Sequence, residues 1–224
     1  SDGFTIGTSD GSTNASGDTY VAWQWKESAT AGFDIVTYTG NGTDDTDISH
    51  NLSAVPKMII IKNRDAADDW QVYHAGNTSS PETDYLALNE LDATADNVDR
   101  WSDEAPTSSV FTLGDADEVN TDTEDYIAYC FADVQGYSKI GSYTGNGSTD
   151  GTFVYTGFRP AFILHKRTDS ITRANWLLFD NKRGGSGNYG SGRDPLSPDN
   201  NGDETSWTGR DWIDLLSNGF KFRG

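Results

Sequence analysis

The sequence predicts an all-β fold of tandem antiparallel β-sandwich repeats, jelly-roll or lectin-like in kind. Three observations predict it. Segments recur in one order at a spacing of about a hundred residues, bulky β-formers sit in short alternating runs, and Gly, Asn, Asp and Ser punctuate those runs. The recurrence is plainest in Tyr38-Thr39-Gly40-Asn41-Gly42, which returns as Tyr143-Thr144-Gly145-Asn146-Gly147. Further on, Pro56-Lys57-Met58-Ile59-Ile60-Ile61-Lys62 returns as Pro160-Ala161-Phe162-Ile163-Leu164-His165-Lys166. Trp70-Gln71-Val72-Tyr73 returns as Trp176-Leu177-Leu178-Phe179, and Trp101 as Trp207.

A second set of matches reaches upstream. Tyr20-Val21-Ala22-Trp23-Gln24-Trp25 matches Tyr126-Ile127-Ala128-Tyr129-Cys130-Phe131. Phe4-Thr5-Ile6-Gly7 matches Phe111-Thr112-Leu113-Gly114, with a third copy at Gly219-Phe220-Lys221-Phe222. The implied organisation is a terminal piece over residues 1–28, which carries strands of a preceding or permuted repeat. A first sandwich follows over 32–134, and a second over 136–224 that is incomplete at its C-terminal end. The spare strand at one end and the missing strand at the other fit a segment of a longer array; alternatively they point to assembly through Tyr20, Val21, Trp23 and Trp25, within the chain or head-to-tail between copies.

Each matched segment reads as a strand. The two prolines precede mostly apolar runs of strand length, as for buried strands. Val21, Trp23 and Trp25 alternate with Tyr20, Ala22 and Gln24, and their partners Ile127, Tyr129 and Phe131 are equally bulky. That shared face is expected to be core. The Asn-Gly pairs suit turns that need positive φ. No segment carries apolar residues at helical spacing for three turns, so almost no helix is expected.

Composition narrows the function classes. Hydrophobic residues are only 34%, yet seven Trp, ten Tyr and ten Phe suffice for compact cores, since each ring buries a large area. The formal charge of −19 repels phosphate backbones and anionic headgroups, which argues against nucleic-acid binding. No apolar run approaches membrane-spanning length, so membrane insertion is not expected. Cys130 is the only cysteine, so no intrachain disulfide holds the fold. The opening Ser1-Asp2-Gly3-Phe4 lacks the basic and apolar regions of a signal peptide. A place outside the cell would then follow from processing, or from lysis as part of a virion.

At these motifs the chain resembles a recurrent unit of large marine-phage structural proteins. The resemblance is carried by Phe33-Asp34-Ile35-Val36-Thr37-Tyr38-Thr39-Gly40-Asn41-Gly42. It is carried equally by 137–151, by Thr156-Gly157-Phe158-Arg159-Pro160, by Ser217-Asn218-Gly219-Phe220-Lys221 and by Tyr20-Val21-Ala22-Trp23. It covers nearly the whole chain. It implies a tail-fibre or related virion or extracellular appendage subunit whose partners are other copies of itself or other virion subunits. Host-surface polysaccharide is a further partner of that class, and no catalytic residues come with it.

The search for chemistry agrees with a chain that is not an enzyme. His50, His74 and His165 show no metal spacing, and His165 stands where the other repeat has Ile61. No nucleophile elbow, phosphate loop or dinucleotide fingerprint occurs. Cys130 aligns with Gln24 in a strand, which suits an inert thiol. The run Asp199-Asn200-Asn201-Gly202-Asp203-Glu204 offers oxygen ligands of the kind Ca²⁺ takes, with Asp199, Asp203 and Glu204 as the ligands, as does Asp44, Asp45 and Asp47. The alternative reading for both is turn-forming Asp and Asn, and no other cofactor is suggested. Trp212, Tyr189 and Arg193, in or near a Gly-rich loop, are the candidates for stacking on or bonding to a sugar. The leading reading is therefore a structural or adhesive module. A free lectin-like carbohydrate-binding domain is second, and a glycan-degrading enzyme third.

Overall fold

A computed structural model of the chain describes residues 3–7, 11–183, 195–200 and 213–223. In chain order the strands are Phe33–Thr39 (β1), Thr46–Ser49 (β2), Met58–Asn63 (β3), Gln71–His74 (β4), Asp84–Ala87 (β5) and Ala95–Asp96 (β6). A short helix Val98–Trp101 (α1), strand Val110–Leu113 (β7), helix Asp117–Asn120 (α2) and strand Asp125–Phe131 (β8) follow. The remainder carries Asp150–Tyr155 (β9), Phe162–His165 (β10), Leu177–Asp180 (β11), Ile213–Leu216 (β12) and Gly219–Arg223 (β13). The architecture is all-β, as expected, with every pairing antiparallel.

Four layers are stacked by burial. The central sheet runs β1-β8-β3-β4-β5-β6. In β3 all three isoleucines are buried, because both faces of the strand are covered. Ile59 and Ile61 face the two-stranded β2–β7 sheet, where they join Ile48, Phe111, Leu113, Tyr73, Tyr126, Ala128 and Cys130 in one core. Ile60 faces the other way, into a cluster with Val72, Leu86 and Trp176 that Met58, Tyr129, Phe131 and Leu164 flank. Trp176 and Leu164 come from the other half of the chain, so this second cluster is the seam between two sandwiches. Beyond the seam, β10–β11 packs on the sheet β12-β13-β9 through Ile163, Phe179, Ile213, Leu215 and Phe220.

Strand registers in the two halves of the chain run alike. Ile59 lies opposite Tyr73 and Ile60 opposite Val72, as Ile163 lies opposite Phe179 and Leu164 opposite Leu178. Ile48 lies opposite Phe111, and Val154 lies opposite Phe220. The Asn-Gly turns also agree locally. Asn41 Oδ1 accepts from Thr43 N–H, Asn146 Oδ1 accepts from Ser148 N–H, and the next glycine in each has positive φ. Their surroundings differ. A Cβ on Gly40 would stand 2.1 Å from the Thr121 carbonyl, whereas one on Gly145 would meet nothing within 4 Å.

Three expectations need correction. Residues 4–7 and 20–25 are not strands, and Phe4 is 60% exposed. Residues 138–144, the counterpart of β1, form no strand either. The reason is the same for 20–25 and 138–144. β1 owes its ladder to β8, which pairs with β1 on one side and β3 on the other. Among the described residues no strand pairs with the side of β10 away from β11, so neither 138–144 nor 20–25 is part of a ladder. The third correction concerns the face of β8. The fully buried side carries Tyr126, Ala128 and Cys130, while Ile127, Tyr129 and Phe131 are half-buried and Tyr129 and Phe131 flank the seam. Bulk marked the wrong face, because small Ala128 and Cys130 leave room for Trp101, Phe111 and Tyr73 opposite.

Candidate functional site

A distinctive surface is the edge of β10 away from β11, which pairs with no strand among the described residues, and the segment that lies against it. Local chemistry shapes that segment first. In β8, Tyr126 reaches back over the preceding loop: its hydroxyl donates to the Asp117 carbonyl at 2.6 Å and accepts the Thr121 N–H at 2.8 Å. The N-terminal segment repeats this bond for bond. The Tyr20 hydroxyl donates to the Gly11 carbonyl at 3.1 Å and accepts the Ala15 N–H at 2.9 Å. Residues 11–20 thus repeat the two tyrosine bonds that precede β8, although 11–14 form no helix where the first sandwich has α2.

The far end of the segment docks on both sandwiches. Trp25 stacks edge-on against Phe162 of β10 at 5.1 Å between ring centres and touches Phe33 of β1 at 6.5 Å. Trp23 meets Phe162 at 6.2 Å, and its indole N–H donates to Asp180 Oδ2 at 3.1 Å. The guanidinium of Arg183 lies 5.4 Å from the Trp23 ring centre and donates from Nε to the same carboxylate oxygen at 2.6 Å. Burial works against the ionised Asp180. The hydrogen bonds from the Arg183 side chain and from the Arg183 and Lys182 backbone N–H groups outweigh it, and hold the carboxyl below its usual range. A charged, nearly buried carboxylate is thereby aimed at the indole.

The expectation that Trp23 and Trp25 are core residues is corrected here. Trp23 is half-buried and Trp25 is 42% exposed, with Tyr20 and Val21 also exposed. Both tryptophans do contact the second sandwich, and no backbone hydrogen bond among the described residues joins 20–27 to β10. Sequence reasoning missed Phe162, Asp180 and Arg183 as the receptor for them. The available signal was that Asp180 replaces His74 of the first sandwich at the same register position.

The remaining candidates fall elsewhere. Trp212, Tyr189, Arg193, Asp203 and Glu204 lie outside the described residues. Asp199 is described, and its carboxylate accepts the Trp176 N–H at 2.9 Å and an Asn175 amide N–H at 3.1 Å, which positions Trp176. Asp44 accepts from Ser102 and Asp47 from Thr112, so both tie loops together. Among the described residues, no group of three or more His, Cys, Asp or Glu side chains is arranged to hold a metal ion. Burial pushes the Cys130 thiol up to about 12, which leaves it protonated and unreactive. Burial also lowers His165 to about 4, and its ring lies between Phe179 and Phe222. No described helix is long and apolar enough to cross a membrane.

The chain matches one family model over residues 1–224 and belongs to that family, a domain of unknown function designated DUF7483. The match takes in the N-terminal segment together with all of the sheets. No curated protein and no solved structure matches it.

Proposed function

We propose that this member of the family is a structural and adhesive module of a virion fibre or extracellular appendage, acting by display and assembly rather than by catalysis. The observation that carries the reading is the seam. The chain uses a buried Trp, an inter-sandwich indole hydrogen bond and a face of its central sheet to fix two like sandwiches back to back. Such a seam makes a stiff, repeatable building block, and a tandem-repeat reading is supported by the equivalent strand registers on its two sides. The partners of such a module are other copies of itself or other appendage subunits.

One further observation supports adhesion to host-surface polysaccharide. On β9, Phe153 and Tyr155 stand exposed where β2 of the first sandwich carries Asp47 and Ser49. Lys221 and Arg223 beside them pair with Asp150, so aromatic and charged groups are offered together, as sugar recognition uses them. Affinity at one such face is weak and gains from copy number.

The test combines light scattering and electron microscopy over a range of concentration with a glycan array probed by a multivalent form of the chain. Assembly, with glycan binding that needs multivalency and falls on Tyr155→Ala, is the expected result. Turnover of a polysaccharide, abolished by a single Asp or Glu substitution, would overturn the reading in favour of an enzyme. Tight binding of one glycan by a strictly monomeric chain would favour a free lectin.

A further inference from the structure

We infer that residues 20–25, which form no strand in the structure, close into the central strand of the second sandwich by insertion beside β10 from within the same chain. The inference rests on reading the chain as two like β units, and four observations carry it.

First, the segment carries the local bonds of the strand it matches. Its hydroxyl-to-backbone bonds at Tyr20 repeat those at Tyr126, and β8 is the strand that follows Tyr126. Secondly, it already touches the receptor at the right place. In the first sandwich Phe131 of β8 lies opposite Met58 of β3. The equivalents are Trp25 and Phe162, whose rings are in contact at 5.1 Å. Thirdly, the contact is latched. Asp180, the last residue of β11, and Arg183, just beyond that strand, hold the Trp23 indole.

Fourthly, both halves of the unfilled slot expose the side chains that the filled one buries. Tyr126 stacks on Tyr38 at 5.2 Å with nearly parallel rings and is fully buried. The equivalents Tyr20 and Tyr143 are 48% and 40% exposed. Gly145 has open space where Gly40 meets Thr121, the equivalent of Ala15. Filling the slot pairs Tyr20 with Tyr143, places residue 15 over Gly145 and satisfies the open edge of β10. The Trp25 end is docked and the Tyr20 end has yet to close. Insertion within the chain is favoured over donation to another copy, because the docked tryptophans already hold the strand at a high effective concentration.

The register of Ile127 opposite Lys62 predicts that Val21 faces Lys166 in the filled slot. In a Cys130→Ala background, the double variant Val21→Cys, Lys166→Cys should form an intrachain disulfide with diamide as oxidant. Its yield should exceed by at least tenfold that of Val21→Cys with Phe162→Cys, a partner about four residues, or ~13 Å, out of register. A faster-migrating monomer on a non-reducing gel is the expected product. Dimers or ladders would overturn insertion within the chain, and equal yields from the two pairs would overturn the register. Hydrogen exchange on the unmodified chain reads the same point without any variant. Amides of residues 20–25 should exchange at least tenfold slower than an unstructured peptide, and random-coil rates would overturn the inference. Neither measurement depends on assembly or on glycan binding, so each fails separately from the proposed function.

Discussion

Replacing Trp176 by alanine tests whether the two sandwiches depend on one another. Trp176 is 3% exposed in the seam, its indole N–H donates to the Ala87 carbonyl at 2.7 Å, and the Lys166 ammonium lies 5.7 Å from its ring centre. Truncating a buried Trp to Ala costs roughly 3–5 kcal/mol, a figure that includes the cavity and the orphaned carbonyl. That is a large fraction of the ~5–15 kcal/mol that holds a typical domain folded. Trp176→Phe keeps most of the apolar contact and loses the hydrogen bond, so it should cost about 1–2 kcal/mol. Urea unfolding followed by far-ultraviolet circular dichroism measures both. Each sandwich retains its own core away from the seam, so Trp176→Ala should also separate one transition into two. A loss below about 1 kcal/mol for Trp176→Ala, or equal losses for the two variants, would refute the seam as the coupling element.

Other outcomes follow from single groups. His165 is held neutral, with its pKa lowered by burial from the ordinary 6.5 to about 4. The unfolded chain therefore binds the proton more tightly. The contribution of His165 is complete above about pH 6.5 and is lost as pH falls toward 4, by roughly 2–3 kcal/mol after allowance for the ring's partial exposure. The difference in unfolding free energy between the parent and His165→Leu, measured from pH 7 to pH 4, should show that slope, and parallel curves would refute it. Gly40→Ala forces a methyl group against the Thr121 carbonyl and should cost at least ~1–3 kcal/mol in thermal or urea unfolding. An unchanged midpoint would mean that the β1 end and the α2–β8 loop are not packed as described. The Cys130 thiol, fully buried and raised to about 12, should resist aromatic disulfide reagents at pH 8 in the folded chain and react stoichiometrically in urea. Fast labelling of the folded chain would show that β8 opens.

What was legible in the sequence was whatever local chemistry decides. The Asn-Gly turns, the apolar runs that became β3 and β10, and the hairpins β3–β4 and β10–β11 all lie within stretches whose pattern and spacing are complete in themselves. What failed depended on a partner. Residues 138–144 read as a strand because β1 is one, but a strand is a pairing and not a pattern, and the pattern alone cannot supply the ladder. The face of β8 was misjudged for a related reason. Alternation identifies two faces, and only the cross-strand neighbours reveal that Tyr126, Ala128 and Cys130 meet the large core while Tyr129 and Phe131 flank the seam. The receptor for Trp23 was hidden most deeply, since Asp180 and Arg183 stand more than 150 residues away in sequence and carry no motif. Yet the same comparison that misplaced strands in 20–25 identified which strand they would be. The Tyr20 hydroxyl finds the Gly11 carbonyl and the Ala15 N–H without any sheet to direct it. The two tyrosine bonds that precede β8 are therefore encoded within residues 11–20 themselves.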